Sequence, residues 1–162
     1  MSETFSFNYF GSVINAESLG VESLPPLGQT LTAHCVPFTA DGKIVAVNVI
    51  GRGVDIPGGH IDANETAIEA MQREAQEEAR ITVSNPVIID VWRLSSTDSA
   101  LGLSQKPFIL LYSVEVESME DFHPNDEVSE RLVLEPNDFI ASYFGDKRQA
   151  RVMVEKALTL RR

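Results

Sequence analysis

The sequence predicts an α/β protein with a mixed β-sheet between helices. Three observations carry this reading. Strand-like runs joined by turn signals come first. One long Gly- and Pro-free helical segment sits mid-chain, and further strands precede two C-terminal helices. A chain of 162 residues, 43% hydrophobic and 23% charged, suffices for one domain with a real core.

Phe5, Phe7 and Tyr9 alternate, which predicts a strand at an edge of the core fold or beyond it. Pro25-Pro26-Leu27-Gly28 reads as a linker turn. Residues 1–28 are therefore expected as an N-terminal extension packed on a domain spanning 29–162. Leu31 to Phe38 and Lys43 to Ile50 are strand-like runs around Thr39-Ala40-Asp41-Gly42, a hairpin signal. Gly51-Arg52-Gly53 and the short run Val54-Asp55-Ile56 then lead into Pro57-Gly58-Gly59. Arg52 is read two ways with equal weight, as a phosphate contact and as an exposed strand-end cation.

Past the central helix, Ile81 to Val83 and Pro86 to Leu94 read as strands. Ser95 to Gln105 is a polar loop with Lys106, a surface cation, at its end. Phe108 to Val116 is a strand, and Ser118 to Glu130 is acidic and irregular, with His123 as a loop residue. Glu130 to Leu134 is a strand. Pro136-Asn137-Asp138 starts a helix through Tyr143, and Gly145-Asp146 breaks it. The last helix runs from Lys147 to Leu160, with Ala150, Met153, Val154, Ala157 and Leu158 as its core stripe.

Charge and cysteine usage bound the function. A net charge of −11 argues against broad nucleic-acid binding and against an anionic membrane surface. An enzyme for nucleotides would need a local metal ion and local Arg or Lys to offset that charge. Cys35, the single cysteine, lies in an apolar run and reads as core; it excludes an internal disulfide and fits a reducing, cytoplasmic setting. No signal peptide and no membrane-spanning helix are expected.

The stretch from Pro57 to Ile81 carries the chemistry. Pro57-Gly58-Gly59 excludes a regular helix, and the Gly pair lets backbone angles closed to other residues bring the chain close to a ligand. Asp62 or Asn64 is the expected N-cap, with Glu65 at capping-box spacing from Asp62. Glu65 to Ala79 is the helix. At roughly 100° per residue, Ala67, Ile68, Met71, Ala75 and Ala79 share one apolar arc. Glu78 falls inside that arc, Glu74 at its edge and Glu77 further round. Carboxylates at a core edge repel each other and lose hydration, so a cation is expected among them. Arg73 can neutralise one. A hard divalent cation such as Mg²⁺, which also binds substrate phosphates, could neutralise the others.

This stretch resembles the Nudix box. Gly59, Glu65, Arg73-Glu74-Ala75, Glu77-Glu78 and Ile81 fit its positions. Ala75 is smaller than usual, and Arg80 stands where the family has Gly. Arg is strained in the left-handed geometry such a Gly adopts, so the helix is expected to end differently or run on slightly. The resemblance implies the Nudix α/β/α sandwich and hydrolysis of a nucleoside diphosphate linked to another group. It implies Mg²⁺, or Mn²⁺, on Gly59, Glu74, Glu77 and Glu78, with Arg73 holding a Glu in place and Glu77 or Glu127 accepting the proton of water. Glu127 is the candidate in the acidic loop by position, and Glu130 is second. The alternative is a non-catalytic nucleotide-sensing Nudix domain, and the complete set of box carboxylates argues against it. An isomerase on the same fold would want an added Cys at the site. Ser95-Ser96-Thr97-Asp98 carries neither Pro nor Tyr, residues that mark particular substrates in relatives. Triphosphates, ADP-ribose and nucleotide sugars stay open, as does a homodimer. Trp92 and Phe108 read as core rather than base-stacking residues.

Overall fold

The structure, a computed structural model, describes residues 3–160. Its strands are β1 (Glu3–Tyr9), β2 (Ser12–Ser18), β3 (Thr30–Phe38), β4 (Ile44–Val49), β5 (Gly53–Asp55), β6 (Gly58–His60), β7 (Ile81–Ser95), β8 (Phe108–Met119) and β9 (Val128–Leu134). Its helices are α1 (Ala67–Ala79), α2 (Pro136–Ser142) and α3 (Lys147–Leu160). The strands form one curled sheet in the order β1-β2-β7-β8-β3-β4-β5, with β6 beside β3 and β9 beside β4. The β3–β8 pair is parallel and its neighbours are antiparallel, so the sheet is mixed. On one face Met71, Ala75 and Ala79 of α1 pack with Cys35, Val45 and Val47. On the other, Phe139 of α2 and Ala150, Met153 and Val154 of α3 pack with Val36, Ile44 and Leu111. The layering is the expected α/β/α sandwich.

The Thr39–Gly42 turn forms, with the Gly42 N–H on the Thr39 carbonyl at 2.9 Å. Its strands do not stay together. Only Phe38 opposes Ile44. β3 then pairs with β6 and β8, whereas β4 pairs with β5 and β9. Residues 53–60 cross from β4 to β3 over the gap, which sets the Gly pair between the two splayed strands.

Residues 81–95 make one strand rather than two. Its ladder is irregular between Ser84 and Val87, and Asn85 is left-handed, with φ of 52°. The bulge absorbs Pro86, whose missing N–H falls where no ladder bond is needed. Residues 3–18 form a hairpin, β1–β2, although the sequence reading holds only the first strand. β2 pairs with β7 from Asn15↔Ser95 to Ser18↔Trp92, so the sheet gains two strands.

A buried network fixes that hairpin. The Asp90 carboxylate accepts from Ser18 Oγ (2.6 Å), the Gly20 and Val91 N–H groups (both 2.9 Å) and Trp92 Nε1 (2.9 Å). Lys156 of α3 completes it with an ion pair at 3.0 Å. In α3 the stripe Ala150, Met153, Val154 and Ala157 is buried, but Leu158 is exposed and Gln149 takes the buried position instead.

Candidate active site

Gly58 and Gly59 matter for space, not for dihedral freedom, because neither has a positive φ. A Cβ on Gly58 would lie 2.2 Å from His34 Nδ1 and 2.7 Å from the Ala33 carbonyl. One on Gly59 would lie 2.6 Å from the Glu74 carboxyl group. The Gly58 N–H donates to Glu78 Oε1 at 2.8 Å. The turn and the helix are thus in direct contact through two carboxylates.

α1 begins at Ala67, two residues later than the sequence suggests. Its N-cap is Thr66, whose hydroxyl accepts the Glu69 N–H while Glu69 accepts the Thr66 N–H, a complete capping box. Asp62 and Asn64 are not caps, and Glu65 lies before the helix. Glu65 does accept the Asp62 N–H at 2.9 Å, so the same spacing closes the preceding turn. Ile68 is exposed and Ala70 is buried in its place. The helix ends with Arg80 in the left-handed conformation, φ 56° and ψ 43°, and its N–H bonds to the Ala75 and Gln76 carbonyls. The expectation of a different helix end is thereby overturned. An Arg80–Glu120 ion pair at 3.0 Å offsets some of the strain.

Arg73 gathers the acidic residues. Its Nε and Nη2 grip the two Glu65 oxygens at 2.8 and 3.1 Å, and its Nη1 reaches Glu74 at 3.0 Å and Glu77 at 3.2 Å. Nη2 also donates to the His60 carbonyl, pinning the end of β6 to the helix. Arg73 holds Glu65 below the usual carboxylate range, and these anions push the Arg73 pKa up.

Glu78, only 7% exposed, lies in the apolar arc as the helical spacing predicts. Burial first, then the Glu74 and Asp55 charges, push its pKa up to about 8 against the Gly58 hydrogen bond and Arg52. Burial likewise raises Glu74, with Glu77 and Glu127 adding to it and Arg73 opposing.

These groups open on a cavity of about 690 Å³. Gly59, Glu74, Glu78 and Glu127 all line it, and so does Asp126, which sequence reading missed. The Glu127 backbone is fixed by Asn125 Oδ1, which accepts its N–H, and by Ile50, whose N–H bonds to its carbonyl. Glu77 does not line the cavity; its side chain is 58% exposed and paired with Arg73. Glu130 lies outside it on β9, and Lys106 and His123 are exposed elsewhere. Cys35 is buried core, its thiol pKa raised by burial. Trp92 is core, spending its N–H on Asp90.

Arg52 is the one Lys or Arg among the described residues lining the cavity. It pairs with buried Asp55 at 3.4 Å and lies 5.8 Å from the Tyr9 ring centre and 5.5 Å from that of Phe144. Burial raises Asp55 to about 6 despite Arg52. His34, beside Gly58, is kept neutral: burial first, then Arg52 and His60, lower its pKa to about 3.

The carboxylates fit a hard divalent cation. Among the described residues no cation hydrogen-bonds to the buried Glu78 carboxyl group, and Glu74, Glu78 and Glu127 offer oxygen donors to the cavity. Among the described residues no three acidic, imidazole or thiol groups already converge as a ligand cluster. Arg73 draws Glu65, Glu74 and Glu77 to itself, while Glu78 turns to the Gly58 N–H.

The NUDIX domain family model matches residues 28–155. Among solved structures, the Bacillus subtilis pyrophosphohydrolase BsRppH is similar over 99% of this chain and 97% of that one, with a TM-score of 0.72 and 13% identity. A NUDIX hydrolase from Nitrosomonas europaea is similar over 82% of this chain and 90% of that one, with a TM-score of 0.61 and 21% identity. An ADP-ribose pyrophosphatase from Streptococcus suis covers 78% of this chain and 90% of its own, with a TM-score of 0.57 and 18% identity. No curated protein matches the chain. Likeness at such identities speaks for the fold, whereas the family match spans most of the sequence together with the whole Gly59–Ile81 box: the chain belongs to the NUDIX family.

Proposed function

We propose that this Nudix hydrolase cleaves the pyrophosphate bond of a nucleoside diphosphate linked to another group, with Mg²⁺, or Mn²⁺ in its place. The observation that carries the reading is that Gly59, Glu74, Glu78 and Glu127 all line one cavity, with Arg73 bracing Glu74 on the box helix.

The Gly59 carbonyl, Glu74, Glu78 and the neighbouring Glu77 would hold the metal. When bound, it neutralises phosphate charge and lowers the pKa of a bound water. The chain's own residues supply the rest. Gly59 leaves room for Glu74 to stand against the turn. Arg73 holds Glu65, Glu74 and Glu77 by charge-assisted contacts. Arg52 offers the cavity's guanidinium to a phosphate oxygen. Glu127 takes the proton of the attacking water, favoured over Glu77 because it faces the cavity. The Gly58 N–H holds Glu78 Oε1, so the buried carboxyl group is already oriented to serve as a ligand. A cytoplasmic location is part of this reading, supported by the unpaired, buried Cys35.

The test is phosphate release with and without Mg²⁺ across nucleoside triphosphates, ADP-ribose, nucleotide sugars, dinucleoside polyphosphates and NADH. Mg²⁺-dependent turnover of one compound is expected, with Glu74→Gln and Glu78→Gln each slower by orders of magnitude. Nucleotide binding without turnover of any compound would make the domain a sensor instead.

A further inference from the structure

The cavity continues past the carboxylates into an aromatic end that lies partly outside the family match. That match begins at residue 28, yet Phe7, Tyr9 and Phe10 of the β1–β2 hairpin line the cavity together with Tyr143 and Phe144. Phe10 occupies the hairpin turn with φ of 47°, followed by Gly11 at 89°. Turns of that hand favour Asn and Gly, and an L side chain is strained there. The ring gains no burial in exchange, for Phe10 is 69% exposed. It meets Tyr9 edge-on at 4.7 Å and leans over Gly51, where an added Cβ would lie 3.5 Å from it. Ile50, 51% exposed, stands at the same cavity. A strained, exposed aromatic held by two neighbours over a cavity mouth is what a ligand platform requires.

We propose that Phe10 is a stacking platform for the base of the nucleotide, so that the N-terminal hairpin selects substrates carrying an aromatic heterocycle. The inference rests on the pyrophosphohydrolase reading for the phosphate end of the cavity. Glu74, Glu78 and Phe10 line one cavity, and its volume of about 690 Å³ suits a nucleoside diphosphate reaching from the carboxylates to that ring. Arg52, close to the Tyr9 and Phe144 rings, lines the same cavity. Base–aromatic stacking tolerates any base, because every base has a π-face.

Calorimetric titration of the full chain in Mg²⁺ with ADP, GDP and inorganic pyrophosphate tests this. At least one of the two nucleotides should bind about tenfold more tightly than pyrophosphate. Phe10→Ala should erase that advantage and leave pyrophosphate binding unchanged, whereas Phe10→Trp should keep it. In turnover, Phe10→Ala should raise KM about tenfold with kcat within about twofold. The proposal fails if neither nucleotide outbinds pyrophosphate, or if the advantage survives in Phe10→Ala. Mg²⁺-dependent turnover with no effect of Phe10 sinks the platform alone. A Phe10-dependent binding advantage without phosphate release keeps the platform and sinks the hydrolase reading.

Discussion

A Cβ on Gly59 would stand 2.6 Å from the Glu74 carboxyl group, so the Gly turn and the box helix touch at the atoms proposed to hold the metal. Glu74 is a flexible side chain and can swing away. Gly59→Ala should therefore leave the thermal midpoint within a few degrees of wild type and cut turnover about tenfold or more. Gly58→Ala should behave differently. Its Cβ meets the Ala33 carbonyl at 2.7 Å, and backbone cannot swing aside. It should cost about 1–3 kcal/mol of stability. Urea unfolding and a turnover assay on both variants separate the two effects, and equal destabilisation would contradict this account.

Glu78 sets a pH dependence. An acid with a raised folded pKa binds its proton more tightly folded than unfolded. Its stabilising contribution is complete below the ordinary carboxyl value of 4.5 and is lost as pH rises through about 8. Metal-free wild type should thus lose stability relative to Glu78→Gln between those values. Denaturation in chelator at several pH values measures the difference. Parallel curves for the two proteins would refute it.

Arg73→Lys should fail to replace its parent. Lysine is a point charge and cannot grip both Glu65 oxygens while reaching Glu74. A stability loss of about 1–2 kcal/mol and a turnover loss of about tenfold or more are expected, read from kcat at saturating substrate and from urea midpoints.

Arg80→Gly should be tolerated. Glycine relieves the left-handed strain at φ 56° but gives up the exposed Glu120 ion pair and adds freedom to the unfolded chain. The net change should stay within about 1 kcal/mol. Turnover should match wild type, and a severalfold change would mean that residue 80 acts on the site.

Asp90→Ala removes the acceptor for four hydrogen bonds and leaves Lys156 without its ion pair. The expected loss is about 3–5 kcal/mol. Trp92, the chain's single tryptophan and one of the four donors, reports the transition by fluorescence.

Much of the site could be read from helical spacing alone. Glu78 inside an apolar arc is a local fact about one helix, and the structure buries it as that spacing demands. What depends on partners distant in sequence was harder to read. Asp62 with Glu65 and Thr66 with Glu69 have the same spacing and both close reciprocal contacts, so spacing alone could not say which one opens the helix. β2 shows its character only against β7, nearly eighty residues on. Pro86 reads as a break unless the bulge beside Asn85 is known. The aromatic end of the cavity joins residues 7–10 to residues 143–144, and no local pattern announces that meeting.

The parallel pairing of β3 with β8, Thr30↔Phe108 through Phe38↔Glu115, bears on how the site comes into being. It joins segments almost eighty residues apart. Closing so long a loop is paid in chain entropy before any contact rewards it, which slows folding. The Gly turn pairs with β3 on one side, and β3 gains its long parallel neighbour on the other only once β8 arrives. A nascent chain that ends before Phe108 can form the box helix and the early hairpins but leaves β3, on which the Gly turn rests, without its long parallel partner. Hydrolytic competence should therefore appear late in synthesis, once β8 and the Glu127 loop behind it are both present, and not grow in gradually with the box itself.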